Sequence, residues 1–225
     1  MQTIFAIHKP KGPTSFDMVA KVRRATGIRK VGHAGTLDPL ASGVLVVGVT
    51  REGTKKMHGL VKNDKEYIAT IKLGQTSTTD DEEGEKTDSL KTNNQPTQED
   101  LENALKHFEG EIKQVPPIYS AIKIKGKPAY KYAREGKDIK LEPRDALIKE
   151  IEVQEYEWPM ATIRFVTGSG VYIRSLARDI GEALNTGGYL ADLQRTRVGE
   201  FSLDQALTIE EFSKVWENNN KNITS

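Results

Sequence analysis

The sequence predicts an α+β domain, and three observations carry that assignment. Apolar and polar residues alternate through KEYIATIKLG, residues 65–74, which is the period of a half-buried strand. Segments beginning near Thr14, Thr97 and Thr208 place apolar residues at helical spacing behind a capping side chain. The strands follow one another through hairpin-like links, unlike the regular alternation of a βαβ fold. With 225 residues, 36% of them hydrophobic and 29% charged, the chain is long enough to bury a core. One domain spanning 1–225 is expected.

Residues 3–8 read as a first strand. GPTSFDMVAKVRRATG then forms a helix with Thr14 or Ser15 as N-cap and Gly27 as its end; the spacing of Phe16, Val19, Val22 and Ala25 assigns them to the core. The apolar run Val44–Val49 is a short buried strand. In the strand over 65–74, Tyr67, Ala69, Ile71 and Leu73 share one face. Residues 76–97 are polar and acidic and read as a long loop. Thr97 and Asp100 open a helix bearing Leu101, Ala104, Leu105 and Phe108, ended by Gly110. QVPPIYSAIKIKGKPAYKYAREGK gives a short strand, a Lys-Gly turn and a basic helix with Tyr130 and Tyr132. Strands follow around 144–157 and 161–167. A glycine-rich turn then leads into a helix whose stripe is Ile173, Leu176, Ala177, Ile180 and Leu184, with Arg174, Arg178 and Asp179 off it. A strand over YLADLQRTRVGEF and a short helix capped by Thr208, with Glu211 in the box position, precede a polar tail.

Composition narrows the chemistry. The chain has no cysteine, which rules out disulfides, thiolate zinc sites and a cysteine nucleophile. His8, His33, His58 and His107 are scattered with no HxxxH pair, so no metal is expected. No run approaches the roughly 20 apolar residues of a membrane span, and the N-terminus lacks the basic region of a signal peptide. A cytoplasmic protein without membrane attachment is expected, and a monomer. The net charge of +1 conceals blocks: +8 over residues 1–75, −7 over 76–115 and +5 over 120–144. Such blocks are either solvated faces or two basic surfaces for a polyanion, with an acidic segment facing away.

Read one at a time, the chemical signals stay open. Asp38, followed by Pro39 in the glycine-flanked loop VGHAGTLDPLASG, is turn chemistry or a carboxylate that the proline holds on an extended, rigid loop. GSGVYIR opens a helix without completing GxGxxG, and no GxxxxGK[ST] occurs; Tyr172 and Arg174 are surface residues or two walls of a cleft. Tyr67 is a core tyrosine or a stacking platform. Lysines interleaved with Tyr119, Tyr130 and Tyr132 fit RNA binding.

Together the segments are far more specific. GHAGTLDPLASGVLVV closely resembles the central motif of the TruB family of tRNA pseudouridine synthases. In order and spacing, HKPKGPTSFDMV is similar to that family's KPxGxTS segment, KEYIATIKLGQTSTTDDEEG to its tyrosine-bearing strand, VPPIYSAIKIKGKPAYKYAREG to its PPxYSA–AREG segment, and GSGVYIRSLARDIG to its YIR segment. The match spans residues 5–200. It departs from the family where REGTKK places Gly53 at an alanine position.

The resemblance implies the pseudouridine synthase fold, with a mixed, largely antiparallel central sheet flanked by helices and loops. It implies isomerisation of uridine to pseudouridine in the T loop of tRNA, position 55, without guide RNA or cofactor. On it, Asp38 is the catalytic aspartate, Tyr67 the tyrosine that stacks on the target base, and Arg174 the arginine that pairs with the aspartate. Tyr172 and Leu193 line the uracil pocket, and His33 enters the T loop. Residues 115–145 are a thumb-like RNA-binding segment, and no C-terminal PUA-type domain is expected. A tRNA-folding chaperone with catalysis secondary is the alternative of a different class. A carboxylate hydrolase lacks a second positioned carboxylate.

Overall fold

The computed structural model describes residues 2–60, 62–89, 95–120, 122–124, 126–137 and 139–221. In chain order the elements are β1 (Ile4–Lys9), α1 (Ser15–Thr26), β2 (Val31–Ala34), β3 (Ser42–Val49), α2 (Thr50–Leu60), β4 (Lys65–Leu73), β5 (Gln75–Ser77), β6 (Lys86–Asp88) and α3 (Gln98–Leu105). They continue as β7 (Gly110–Gln114), β8 (Lys123–Ile124), β9 (Lys127–Pro128), α4 (Ala129–Arg134), β10 (Arg144–Glu157), β11 (Met160–Thr167), α5 (Ile173–Ala183), β12 (Gly188–Val198), β13 (Phe201–Ser202) and α6 (Ile209–Lys221). The class is the expected one: helices with a large, largely antiparallel sheet, in which β12 runs parallel to β3. Two compact units are distinguished, residues 1–68 with 193–225, and residues 69–192.

In the first unit β3 is the central strand. It pairs antiparallel with β1 from Ile4↔Gly48 to Lys9↔Gly43 and with β2 from Val31↔Val49 to Ala34↔Val46. Both of its faces are covered, which is why Val44–Val49 is an unbroken apolar run and not an alternating one. Leu45, Val47 and Val49 pack with Phe5, Ile7 and the inner faces of α1 and α6. Val44 and Val46 face Ala6, Ala34, Met57 and Val198. Phe5 meets Phe212 edge-on with centroids 5.0 Å apart, a geometry worth about 0.5–1.5 kcal/mol beyond the area it buries.

Helix α1 begins and ends where the sequence predicts. Thr14 and Asp17 form a reciprocal capping box, and Gly27 closes the helix with φ of 70°. Its inner face, however, is Ser15, Met18, Val19 and Val22. Phe16 is 64% exposed, because at roughly 100° per residue it falls on the side of the helix away from that set. Helix α2 and strand β2 were not anticipated: α2 is mostly polar and β2 is four residues long. Gly53, at the family's alanine position, lies against β1's lead-in. A Cβ there would stand 2.4 Å from the Thr3 carbonyl oxygen, so the departure fits this backbone.

In the second unit β10 forms long antiparallel ladders with β11 and β7. Within the segment read as an acidic loop, β5 and β6 pair as a hairpin. The turn between them folds around Asp81, which accepts from Thr79 Oγ1 and from the Glu83 N–H. Residues 90–94 of that segment lie outside the described residues. Helix α3 has its predicted capping box of Thr97 and Asp100 but ends at Leu105. Phe108 sits in the following turn, and Gly110 instead opens β7 with φ of 94°. The described residues of 120–134 form the expected short strand, β8, paired with β9, and the basic helix α4; Lys125 of the expected Lys-Gly turn lies outside the described residues.

Candidate active site

The loop joining β2 to β3 carries Asp38, and three side chains from separate elements of the first unit hold it. Ser15, at the start of α1, is buried. Its Oγ accepts from the Leu37 N–H at 2.8 Å and donates to the Leu37 carbonyl at 3.0 Å. Lys9, at the end of β1, is fully buried and donates to the carbonyls of Ala41 (2.6 Å), Pro10 (3.0 Å) and Pro39 (3.4 Å). Arg195, on β12, is also buried. It donates from Nε to the Val44 carbonyl at 2.8 Å, and from its terminal nitrogens to Gly35 at 3.0 Å and Thr36 at 3.4 Å. The Gly12 N–H bonds the Pro39 carbonyl and the Ala41 N–H closes a turn on the Asp38 carbonyl. Every carbonyl from Gly35 to Pro39 therefore accepts a hydrogen bond. A backbone with its acceptors committed in this way has little freedom to rearrange, so the Asp38 side chain projects from a fixed base.

The cations holding this loop are unusual in being buried. Burial brings the Lys9 ammonium down to a pKa of about 8; the Asp38 carboxylate opposes the shift and Arg195 adds to it. Lys65, on β4, donates to the Asn63 carbonyl at 2.7 Å. Its pKa is likewise lowered to about 8, by burial and then by Arg195. His33, on β2, is made less basic by burial and then by Arg195. Its Nδ1 is buried with no hydrogen-bond partner among the described residues. Positive charge is thus concentrated behind a loop that presents one carboxylate. Tyr67 is buried on the inner face of β4, in the predicted alternation, and Leu193 is buried on β12.

The other two sequence-predicted residues, Tyr172 and Arg174, lie in the second unit at the start of α5. Tyr172 is its N-cap and supplies no side-chain cap of its own. Gln114 replaces it: the Tyr172 N–H donates to Gln114 Oε1 at 2.9 Å, and Gln114 Nε2 donates back to the Tyr172 carbonyl at 3.1 Å. Arg174 was expected off the helix's buried stripe but is buried. Its guanidinium explains this, donating to the carbonyls of Tyr119 (2.9 Å) and Thr79 (3.4 Å) and standing 3.5 Å from Asp81. One turn on, Arg178 pairs with Asp80 at 2.8 Å and donates to the Val115 carbonyl at 3.0 Å. Burial pushes the Asp80 carboxyl up in pKa, and Arg178 opposes it. Two residues of the acidic segment, Asp80 and Asp81, thus turn inward onto arginines. A cavity of about 620 Å³ opens beside them, lined by Thr79, Asp80, Val115, Ile118, Leu141 and Arg178 among others.

The sequence reading named Ser15 only as an N-cap candidate and did not single out Lys9, Lys65, Gln114 or Arg195. Their partners are mostly backbone atoms far away in the chain, which leave no pattern in a sequence. Among the described residues no group of three or more His, Asp or Glu side chains is arranged to hold a metal ion. No helix among them is long and apolar enough to cross a membrane.

Comparison with known proteins bears on this arrangement directly. Residues 23–173 match the family described as TruB family pseudouridylate synthase, N-terminal domain, and residues 174–224 match the tRNA pseudouridylate synthase B C-terminal domain. The chain is 45% identical over 222 residues to a protein of Parabacteroides distasonis, covering 96% of this chain and 94% of that one. It is 47% identical over 210 residues to one of Phocaeicola vulgatus, covering 91% and 88%. Both relatives are named tRNA pseudouridine synthase B. Among solved structures, a chain from the crystal structure of a Cbf5-Nop10-Gar1 complex superposes with a TM-score of 0.75 at 30% identity, covering 97% of this chain and 56% of that one. The motifs quoted from the sequence, the braced aspartate loop and these matches agree: the chain belongs to the TruB family of pseudouridylate synthases.

Proposed function

We propose that this protein is a tRNA pseudouridine synthase acting on the T-loop uridine, position 55, without a guide RNA, as a cytoplasmic monomer that needs no cofactor. The observation that carries the reading is the Asp38 loop, whose carbonyls from Gly35 to Pro39 are all hydrogen-bonded. It occurs in a chain 45% identical, over nearly its whole length, to a relative named tRNA pseudouridine synthase B. The reaction breaks the C1′–N1 glycosidic bond, turns the uracil and joins C1′ to C5. The proton lost from C5 is balanced by one gained at N1, so nothing is oxidised or reduced. What the enzyme must supply is a positioned carboxylate that acts as nucleophile or base, and Asp38 takes that role. Tyr67 and Arg174 work with it, Tyr172 and Leu193 line the uracil pocket, and residues 115–145 close over RNA as a thumb. Extruding the uridine from a folded loop costs a few kcal/mol, which stacking on Tyr67 and insertion of His33 offset.

The test is a carbodiimide map of pseudouridine in unmodified tRNA transcripts treated with wild type or with Asp38→Ala. A new stop at the T-loop uridine with wild type alone is expected. Wild type that binds tRNA but leaves every uridine unchanged would overturn the reading. It would favour the RNA-folding chaperone, whose refolding activity should survive Asp38→Asn.

A further inference from the structure

Phe16 has no place in the core and yet is not an isolated surface residue. It is the most exposed large apolar side chain among the described residues, at 64%. Positions 16, 20 and 23 share one helical stripe, and the guanidinium of Arg23 lies over the Phe16 ring, 5.6 Å from its centroid. Arg23 is itself fixed there, since its Nη2 donates to the Val31 carbonyl at 3.0 Å. Residues 11–30 contain six Lys or Arg and a single acidic residue, Asp17, and the Asp17 carboxylate is taken up by the Thr14 cap. Arg24, Arg29 and Lys30 are exposed, and among the described residues no ion pair engages them. The patch is also close to the chemistry: Ser15, the residue before Phe16, grips Leu37, the residue before Asp38.

From this we infer that Phe16, with Arg23, Arg24, Arg29 and Lys30, is a docking surface for the substrate RNA. An unpaired base stacks on the Phe16 ring, and the cations take flanking phosphates. The inference rests on the reading of the protein as a tRNA-modifying enzyme. An arginine on an aromatic ring is attracted by its π-face, and a ring with an arginine held over it, facing solvent amid positive charge, is the combination that binds unpaired nucleotides. A protein partner is disfavoured by the same facts. Its interface would need a contiguous apolar patch, and the stripe beyond Phe16 offers only Ala20 before the arginines begin.

The experiment first establishes that wild type converts a tRNA transcript; if it does not, the failure belongs to the proposed function and not to this surface. Fluorescence anisotropy then measures the Kd for that transcript, and single-turnover assays at saturating enzyme measure the rate, for Phe16→Ala, Phe16→Leu, Phe16→Trp and the triple change Arg24→Gln, Arg29→Gln, Lys30→Gln. Loss of one stacked base predicts a Kd raised at least about fivefold in Phe16→Ala, with the saturating rate within about twofold of wild type. Phe16→Trp should bind as wild type does, and Phe16→Leu should not. The triple change should flatten the slope of log K against log salt by about 2 to 3. Because these side chains are exposed, thermal unfolding should be unchanged throughout. A wild-type Kd in Phe16→Ala, or full rescue by leucine, overturns stacking; an unchanged salt slope overturns the phosphate contacts.

Discussion

The bracing of the Asp38 loop by Ser15 predicts that one buried hydroxyl controls turnover, and adjacent residues provide an internal control. In Ser15→Ala the Leu37 N–H and carbonyl both lose their partner at a site where Ser15 and Leu37 are each almost fully buried. An orphaned buried backbone group costs about 1–3 kcal/mol, so two of them predict a loss of roughly 2–6 kcal/mol, less whatever relaxation recovers. In Thr14→Ala the helix loses its capping box, worth about 1 kcal/mol, but no bond to the loop. Both variants should therefore lower the urea midpoint, Ser15→Ala by more. Only Ser15→Ala should slow the single-turnover conversion of tRNA, by about tenfold to a hundredfold, because a misplacement near 1 Å at a reacting group costs on that order. The assay is urea unfolding by circular dichroism, paired with single-turnover kinetics at a temperature where both variants are folded. If Ser15→Ala turns over at the Thr14→Ala rate, Ser15 is merely a buried residue of α1 and the loop does not depend on it.

Two further outcomes follow from the same unit. Gly43 holds φ of 113°, and a Cβ there would lie 2.1 Å from the Arg195 carbonyl oxygen, where β12 runs beside β3; Gly43→Ala should lose several kcal/mol of stability or fail to fold, and a melting temperature within a few degrees of wild type would contradict the observed pairing. The buried lysines predict a pH dependence of opposite sign to that of a lysine held in a salt bridge. Lys9 and Lys65 have folded-state values of about 8 against about 10.4 for an unfolded lysine. Between those values the unfolded chain binds more protons, so stability should rise with pH, by about 3 kcal/mol per lysine at most. Urea unfolding at pH 7.5 and 9.5 measures this, and Lys9→Met should reduce the gain. A stability that falls over that window would show that neither lysine is buried as a charged group.

The sequence was informative where structure is local and silent where it is not. The caps of α1, the capping box of α3, the alternation of β4, and strand β8 with the basic helix α4 each depend on residues within a few positions of one another, and all appear as predicted. The misplacement of Phe16 has a definite source. Helical spacing shows which residues share a stripe without showing which stripe faces inward, and two overlapping stripes were available, one through Phe16 and one through Ser15. The sequence marks Ser15 only as an N-cap candidate, yet its hydroxyl is buried and satisfied by a backbone 22 residues away. The inward turn of Asp80 and Asp81 was equally hidden, since their arginine partners lie more than 90 residues further along.

The aspartate itself was found through its resemblance to a family motif, but the reason the motif is written as it is lies in the buried cations. A glycine-rich loop can present a carboxylate rigidly only if its carbonyls are satisfied, and glycines bring no side chains to satisfy them. In this protein Ser15, Lys9 and Arg195 supply the donors from outside the loop. Two of those donors are charged groups that are costly to bury unless each is well hydrogen-bonded. Lys9 and Arg195 meet that condition with three carbonyls each, so the loop and its cations stabilise each other. The glycines at 35 and 43 are then part of the same device. At Gly35 an added Cβ would meet Arg195 Nη1 at 3.4 Å, and at Gly43 it would collide with the Arg195 backbone. The absence of a side chain at Gly35 and Gly43 is what lets Arg195 reach this backbone, and its hydrogen bonds to the carbonyls of Gly35, Thr36 and Val44 are what hold that backbone still.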